Sequence, residues 1–312
     1  MLRRVRGVRM AEDIEHIHDM RVASRRLRTA LLLFDGCLPA SKLERWNKVT
    51  RRLRRALGTA RDTDVQIELV QSFLQQLKTL SHQAGVERLL LRLRQRRQLL
   101  QQKVEKDLHR LETSALAMQV RQTCDQLRAR AKRLKAGVKT PGVYGQAQKW
   151  ITLQLKELLD FEPYVDQPKC IRELHQMRIA AKHLRYTMEV FAHLYDDKLK
   201  TPIKTARDAQ TLLGAVHDAD VWLDYVPRFL EEERQRAVEY FGNDKAFAAL
   251  RPGVRDFLRS RRKARAGSYS EFRRFWRDAR KRKVWESLVE TLRLAAASTA
   301  RQPREESQVE TK

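Results

Sequence analysis

Apolar and polar residues recur along this chain with the period of a helix almost from end to end. In the segment 18–34, HDMRVASRRLRTALLLF, residues Met20, Ala23, Leu27, Leu31 and Phe34 fall together at about 100° per residue and form an apolar seam. His18, Arg21, Arg25 and Arg28 occupy a separate arc of about 80° that flanks the seam. The same period predicts helices near 12–35, 41–57, 62–80, 85–111 and 114–136, broken at DGCLPAS, Gly58, SHQAG and the ETS near 112. A second set is predicted near 169–195, 198–213, 218–241, 245–266 and 269–297, with a short bridging helix at 146–160 between the sets. Ser41 with Glu44 has the spacing of a capping box, and Asp62 stands where an N-cap is expected.

Two patterns occur twice. HQMRIAAKHLRYTMEVF at 175–191 repeats His, Met, Arg, Ala, Leu, Arg and Phe of 18–34 in register, and LGTARDTDV at 57–65 shares L-G-x-x-x-D-x-D-V with LGAVHDADV at 213–221. Helical propensity alone does not fix such a register, so the reading is an internal duplication into two helical halves related by a pseudo-two-fold axis. The expected organisation is a first bundle at 1–140, a linker with a short bridging helix at 141–168, a second bundle at 169–297 and a disordered polar tail at 298–312.

Composition narrows the class. The 312 residues contain only 11 Gly and 8 Pro, and the strong helix formers dominate, so an all-α fold is expected. At 42% hydrophobic residues the chain can bury a core. Lys and Arg number 65 against 39 Asp and Glu, a net charge of +26, and a chain so charged attracts polyanions. Cys37, Cys124 and Cys170 are far apart and form no CxxC pair, against both a disulfide framework and a zinc ribbon. The basic start MLRRVRGVRM lacks the apolar stretch of a signal peptide, and no window approaches a membrane span, so a soluble cytoplasmic protein is expected.

The positive charge is arranged in stripes. A solvated face ordinarily mixes signs at i,i+4, whereas the stripe His18, Arg21, Arg25, Arg28 stacks like charges, and something anionic must offset that repulsion. The second half keeps it as His175, Arg178, Lys182 and Arg185. The following helix adds Lys48, Arg51, Arg52 and Arg55, with a thinner counterpart in Lys204 and Arg207. Further one-sided sets are Arg92, Arg96 and Lys103, then Arg255, Arg259 and Arg262, and Arg273, Arg277 and Arg280. Guanidinium forks bind phosphate oxygens bidentately and stay charged, so a row spaced one helical turn apart suits a chain of repeated phosphates.

Catalytic patterns are weak. Asp62 with Asp64, and Asp218 with Asp220, have the character of a magnesium site in phosphoryl transfer, but capping and pairing with the arginines explain them more cheaply. The His18-Asp19 dyad is not kept at His175-Gln176, and no HExxH, CxxC, P-loop or nucleophile elbow is present.

The doubled HxMR[VI]A…LR helix, each copy followed by LGxxxDxDV, resembles the CHAD domain, the conserved histidine α-helical domain, over about residues 10–295. That resemblance implies two pseudo-symmetric antiparallel four-helix bundles whose basic residues surround a groove or pore that binds inorganic polyphosphate, in proteins found on polyphosphate granules. It marks His18, Arg21, Arg25, Arg28, His175, Arg178, Lys182 and Arg185 as polyphosphate contacts. Two departures are Lys182 in the place of Arg25 and His217 in the place of Arg61.

The expected function is therefore non-catalytic polyphosphate binding, with no cofactor and no metal, by a cytoplasmic protein associated with polyphosphate granules. A nucleic-acid-binding helical protein is the second reading and a metal-dependent phosphohydrolase using the Asp pairs the third. Readers of single-stranded nucleic acid interleave aromatics with cations, and the stripes contain only Tyr186, while Phe275 and Trp276 read as core.

Overall fold

The structure, a computed structural model, describes residues 4–10, 14–133 and 139–301. Among them there are α-helices and short 3-10 turns and no strand: α1 (Val5–Met10), α2 (Ile14–Leu33), α3 (Ala40–Gln76), α4 (Leu80–Thr113), α5 (Leu116–Arg133), α6 (Pro141–Leu159), α7 (Ile171–Phe191), α8 (Lys200–Phe241), α9 (Lys245–Ala248), α10 (Arg251–Lys281) and α11 (Val284–Arg301). The chain is all-α.

Several helices are longer than the punctuation suggests. α3 runs for 37 residues straight through Gly58, and α8 for 42 residues through both Gly214 and Pro227. α10 likewise continues through Gly267. A glycine costs a helix roughly 1 kcal/mol and a proline about 3 kcal/mol, and buried neighbours offset this: Leu53, Leu57 and Ala60 flank Gly58, and Trp222, Val226 and Phe229 flank Pro227. The expected caps change accordingly. Pro39 is the N-cap of α3 and makes no side-chain cap bond, so Ser41 lies inside the helix and forms no capping box with Glu44. Asp62 is in the interior of α3, not at a helix start.

The helices gather into two compact units, the first from the chain up to Leu127 with Ala219–Ala264, the second from Arg128–Asp218 with the chain from Arg265 onward. The division falls inside α8 and α10, not at the linker read from composition, and α6 packs on α7 and α11 within the second unit. Residues 298–301, assigned above to a tail, continue α11; the remainder of that tail, 302–312, lies outside the described residues.

The first unit holds two cores. One joins α1, α2, the first half of α3 and the second half of α4 through Val8, Ile17, Met20, Trp46, Leu53, Leu57, Val104 and Leu108. The other joins the far half of α3, the near half of α4 and the portions of α8 and α10 in this unit through Val70, Leu89, Leu93, Trp222, Phe229, Val254 and Phe257. This second core explains the discontinuous unit: α3 and α4 are too long to be covered by α2 alone, and their ends bury residues of α8 and α10. In the second unit Leu174, Met177, Ala180, Leu184 and Phe191 of α7 are buried. Phe34, expected in the seam of α2, is instead 41% exposed, past the end of that helix.

Candidate functional site

In the first unit, α2 packs along α3. Its buried face holds Ile17, Met20, Ser24 and Leu31, which turns Arg21 and Arg25 to the edge of the contact, half-buried, and His18 and Arg28 outward. From α3, Arg54 enters this edge. Its Nε is buried without a hydrogen bond, and its pKa is lowered, by burial first and then by the charges of Arg28, Arg21, Arg25 and Arg55. Five guanidinium groups thus crowd one edge, and Arg54 at its centre was not singled out by sequence. The outward set Lys48, Arg51, Arg52 and Arg55 is exposed on the same helix.

The carboxylates here are few and engaged. Arg21 Nη1 donates to Asp62 Oδ1 at 2.7 Å. Arg97 Nε donates to the buried Asp64 Oδ1 at 2.6 Å. Asp62 and Asp64 therefore answer separate arginines. Among the described residues no three His, Cys, Asp or Glu side chains come together as a metal site.

In the second unit, α7 presents the repeated stripe toward the first part of α8. His175 and His217 are stacked with ring centroids 4.0 Å apart and planes tilted by 37°. His175 Nδ1 is buried without a hydrogen bond, and its pKa is pulled down to about 4, by burial first and then by His217, Arg178 and Lys182. Arg178 Nε also lacks a hydrogen bond and packs against α8 at Gly214, where an added Cβ would be 3.4 Å from it. Arg185 Nη1 donates to Gln210 Oε1 at 3.3 Å. Its Nε is 3.1 Å from Glu189 Oε1, an ion pair without hydrogen-bond alignment, and the same oxygen is 3.8 Å from Arg207 Nη2. Lys204 is paired with Asp208 at 2.8 Å, and Lys182 is half-buried.

The other stripes are not part of these clusters. Arg92 Nε donates to the buried Glu233 at 2.7 Å, which also holds Arg88 and Arg236, while Arg96 is exposed. Arg273 and Arg277 both donate to Asp166, at 2.6 and 2.9 Å. Lys103, Arg255, Arg259 and Arg262 are exposed. Tyr186 is 4% exposed, with the Arg185 guanidinium 4.7 Å from its ring centroid, and Trp276 is 2% exposed, so neither offers a ring face to a base.

Fold and site together define an all-α protein that concentrates guanidinium and imidazole groups along two helix pairs, α2 with α3 and α7 with α8. The CHAD domain family model matches residues 1–227, and the chain belongs to that family. The crystal structure of the CHAD domain from the plant Ricinus communis is similar at a TM-score of 0.55 and 25% identity, covering 83% of this chain and 85% of that one. Among curated proteins nothing matches the chain.

Proposed function

We propose that this protein binds inorganic polyphosphate without acting on it, through the basic edges of α2 with α3 and of α7 with α8. The observation that carries the reading is Arg54: a half-buried guanidinium with an unbonded Nε, set among Arg21, Arg25, Arg28 and Arg55. Packing like charges together costs folding energy, and an anion of high charge density recovers it. Successive phosphates supply such density at every unit, and arginine forks satisfy their oxygens in pairs. Association at polyphosphate granules accords with this reading.

Two features favour polyphosphate over nucleic acid. Tyr186, the one aromatic on the stripes, is buried, so the two stripes present no tyrosine face on which a base could stack. The donors Arg54 Nε and Arg178 Nε are buried without a hydrogen bond, and guanidinium forks match tetrahedral phosphate oxygens. The carboxylate pair Asp62 and Asp64 serves Arg21 and Arg97, a positioning role without hydrolysis.

Titration of labelled long-chain polyphosphate at two salt concentrations tests the reading. Log affinity should fall by about 0.7 to 0.9 per log unit of salt for each phosphate neutralised, giving a steep slope for a site of several arginines. A flat slope, or no binding at low salt, would overturn it.

A further inference from the structure

The two helix pairs are not electrically equivalent, and Glu189 is one clear source of the difference. Aligning the repeats places Arg28 with Arg185, Arg51 with Arg207, Arg54 with Gln210 and Leu32 with Glu189. In the first unit Leu32 is 56% exposed, and among the described residues Arg28, Arg51, Arg54 and Arg55 have no ion-pair partner. In the second unit one oxygen of Glu189 lies between Arg185 and Arg207, at 3.1 and 3.8 Å. Gln210 adds a neutral acceptor where the first unit has a fifth guanidinium, and Asp208 holds Lys204 where Arg52 stands exposed.

We propose that Glu189 is an internal competitor for the phosphate positions of the second helix pair, making the α2–α3 edge the strong polyphosphate site and the α7–α8 edge the weak one. The proposal rests on the reading of these edges as polyphosphate sites. A bound phosphate at Arg185 and Arg207 has to displace a carboxylate already engaged with both, so part of its attraction is spent on separating existing pairs. The contact of Arg185 Nε with Glu189 is close but poorly aligned, and that Nε is buried without a hydrogen bond. At the α2–α3 edge Asp62 pairs with Arg21, and among the described residues Arg28, Arg51, Arg54 and Arg55 keep no carboxylate partner.

The test is polyphosphate titration of the full chain, wild type against Glu189→Gln and Glu189→Leu, the latter installing the residue type found at position 32. Arg54→Gln serves as the control that reports on the strong site. Both Glu189 variants should bind roughly tenfold tighter, the yield of about one charge-assisted hydrogen bond. The salt slope should steepen by about 1.4 if both released guanidiniums take a phosphate at about 0.7 each. Arg54→Gln should weaken binding while leaving the Glu189 effect in place. Wild-type affinity and slope in both Glu189 variants, with wild-type melting temperatures, would overturn the proposal while Arg54→Gln upheld the site. Absence of binding in the wild type would overturn the site and this proposal together.

Discussion

Arg185 on α7 donates to Gln210 on α8 at 3.3 Å, and these residues are the repeat counterparts of Arg28 on α2 and Arg54 on α3. The second pair of helices thus joins a guanidinium to a neutral amide where the first sets two guanidiniums near one another. The charges of Arg28 and Arg54 repel one another in the free protein, and burial together with that repulsion lowers the Arg54 pKa.

Arg54→Gln separates function from stability. Losing the buried cation relieves repulsion from Arg21, Arg25, Arg28 and Arg55, so the melting temperature should stay equal or rise. Polyphosphate affinity should fall roughly tenfold to a hundredfold, the span of about 1.5 to 3 kcal/mol for a hydrogen bond to a charged group. Paired melting and titration check this; a lower melting temperature with unchanged affinity would mark Arg54 as structural.

The stacked imidazoles predict opposite pH trends in the free and bound protein. With His175 held near 4 in the fold and about 6.5 in the unfolded chain, the unfolded state takes up the proton first. Stability contributed by His175 is therefore complete above pH about 6.5 and declines as pH falls toward about 4. A polyanion beside His175 favours the imidazolium against Arg178, Lys182 and His217, so its affinity should rise as pH falls through that window. Melting curves at several pH values, with and without polyphosphate, should show both trends, and His175→Asn should weaken both.

Glycines along the helices should respond in opposite directions. An added Cβ at Gly58 meets nothing within 4 Å, so Gly58→Ala should stabilise by roughly 0.4 to 1 kcal/mol. At Gly85 it would collide with the carbonyl of Leu250, and at Gly253 with that of His82, where α4 crosses the start of α10. Either alanine has to push the helices apart, at a cost of about 1 to 3 kcal/mol or more. Urea unfolding of the three variants distinguishes the cases.

Glu233 is the buried counter-ion of Arg92 and Arg236 and lies 3.6 Å from Arg88. Burial works to raise its pKa, but the hydrogen bonds and charges of Arg92 and Arg236 together outweigh burial and lower it. Glu233→Ala removes the carboxylate these partly exposed cations share and should cost about 1 to 3 kcal/mol. Calorimetry reads this directly; a change below about 1 kcal/mol would show that water replaces the carboxylate freely.

The helical fold and the stripe residues were legible because the 3.6-residue period separates Met20, Leu27 and Leu31 from His18, Arg21, Arg25 and Arg28, and the repeat at 175–191 reinforces it. Helix lengths were not, since Gly58, Gly214 and Pro227 carry local penalties that burial of Leu57, Leu213 and Val226 overrides. The discontinuous first unit was hidden for a related reason: no local pattern shows that Val70 and Leu89 pack in one core with Trp222 and Phe257. Arg54 escaped notice because the arc through Lys48, Arg51, Arg52 and Arg55 describes the outward face of α3, whereas Arg54 sits on the flank beside α2. Arg92, Arg273 and Arg277 looked like binding stripes because their partners, Glu233 and Asp166, are distant in sequence.

The most direct test of the central claim is competition at equal phosphate concentration, with labelled long-chain polyphosphate bound to the full chain and challenged by unlabelled polyphosphate, RNA and DNA. Polyphosphate should displace the label and the nucleic acids should fail to do so, because the stripes carry guanidiniums without an exposed aromatic face. Displacement by RNA or DNA as effective as by polyphosphate would contradict the account.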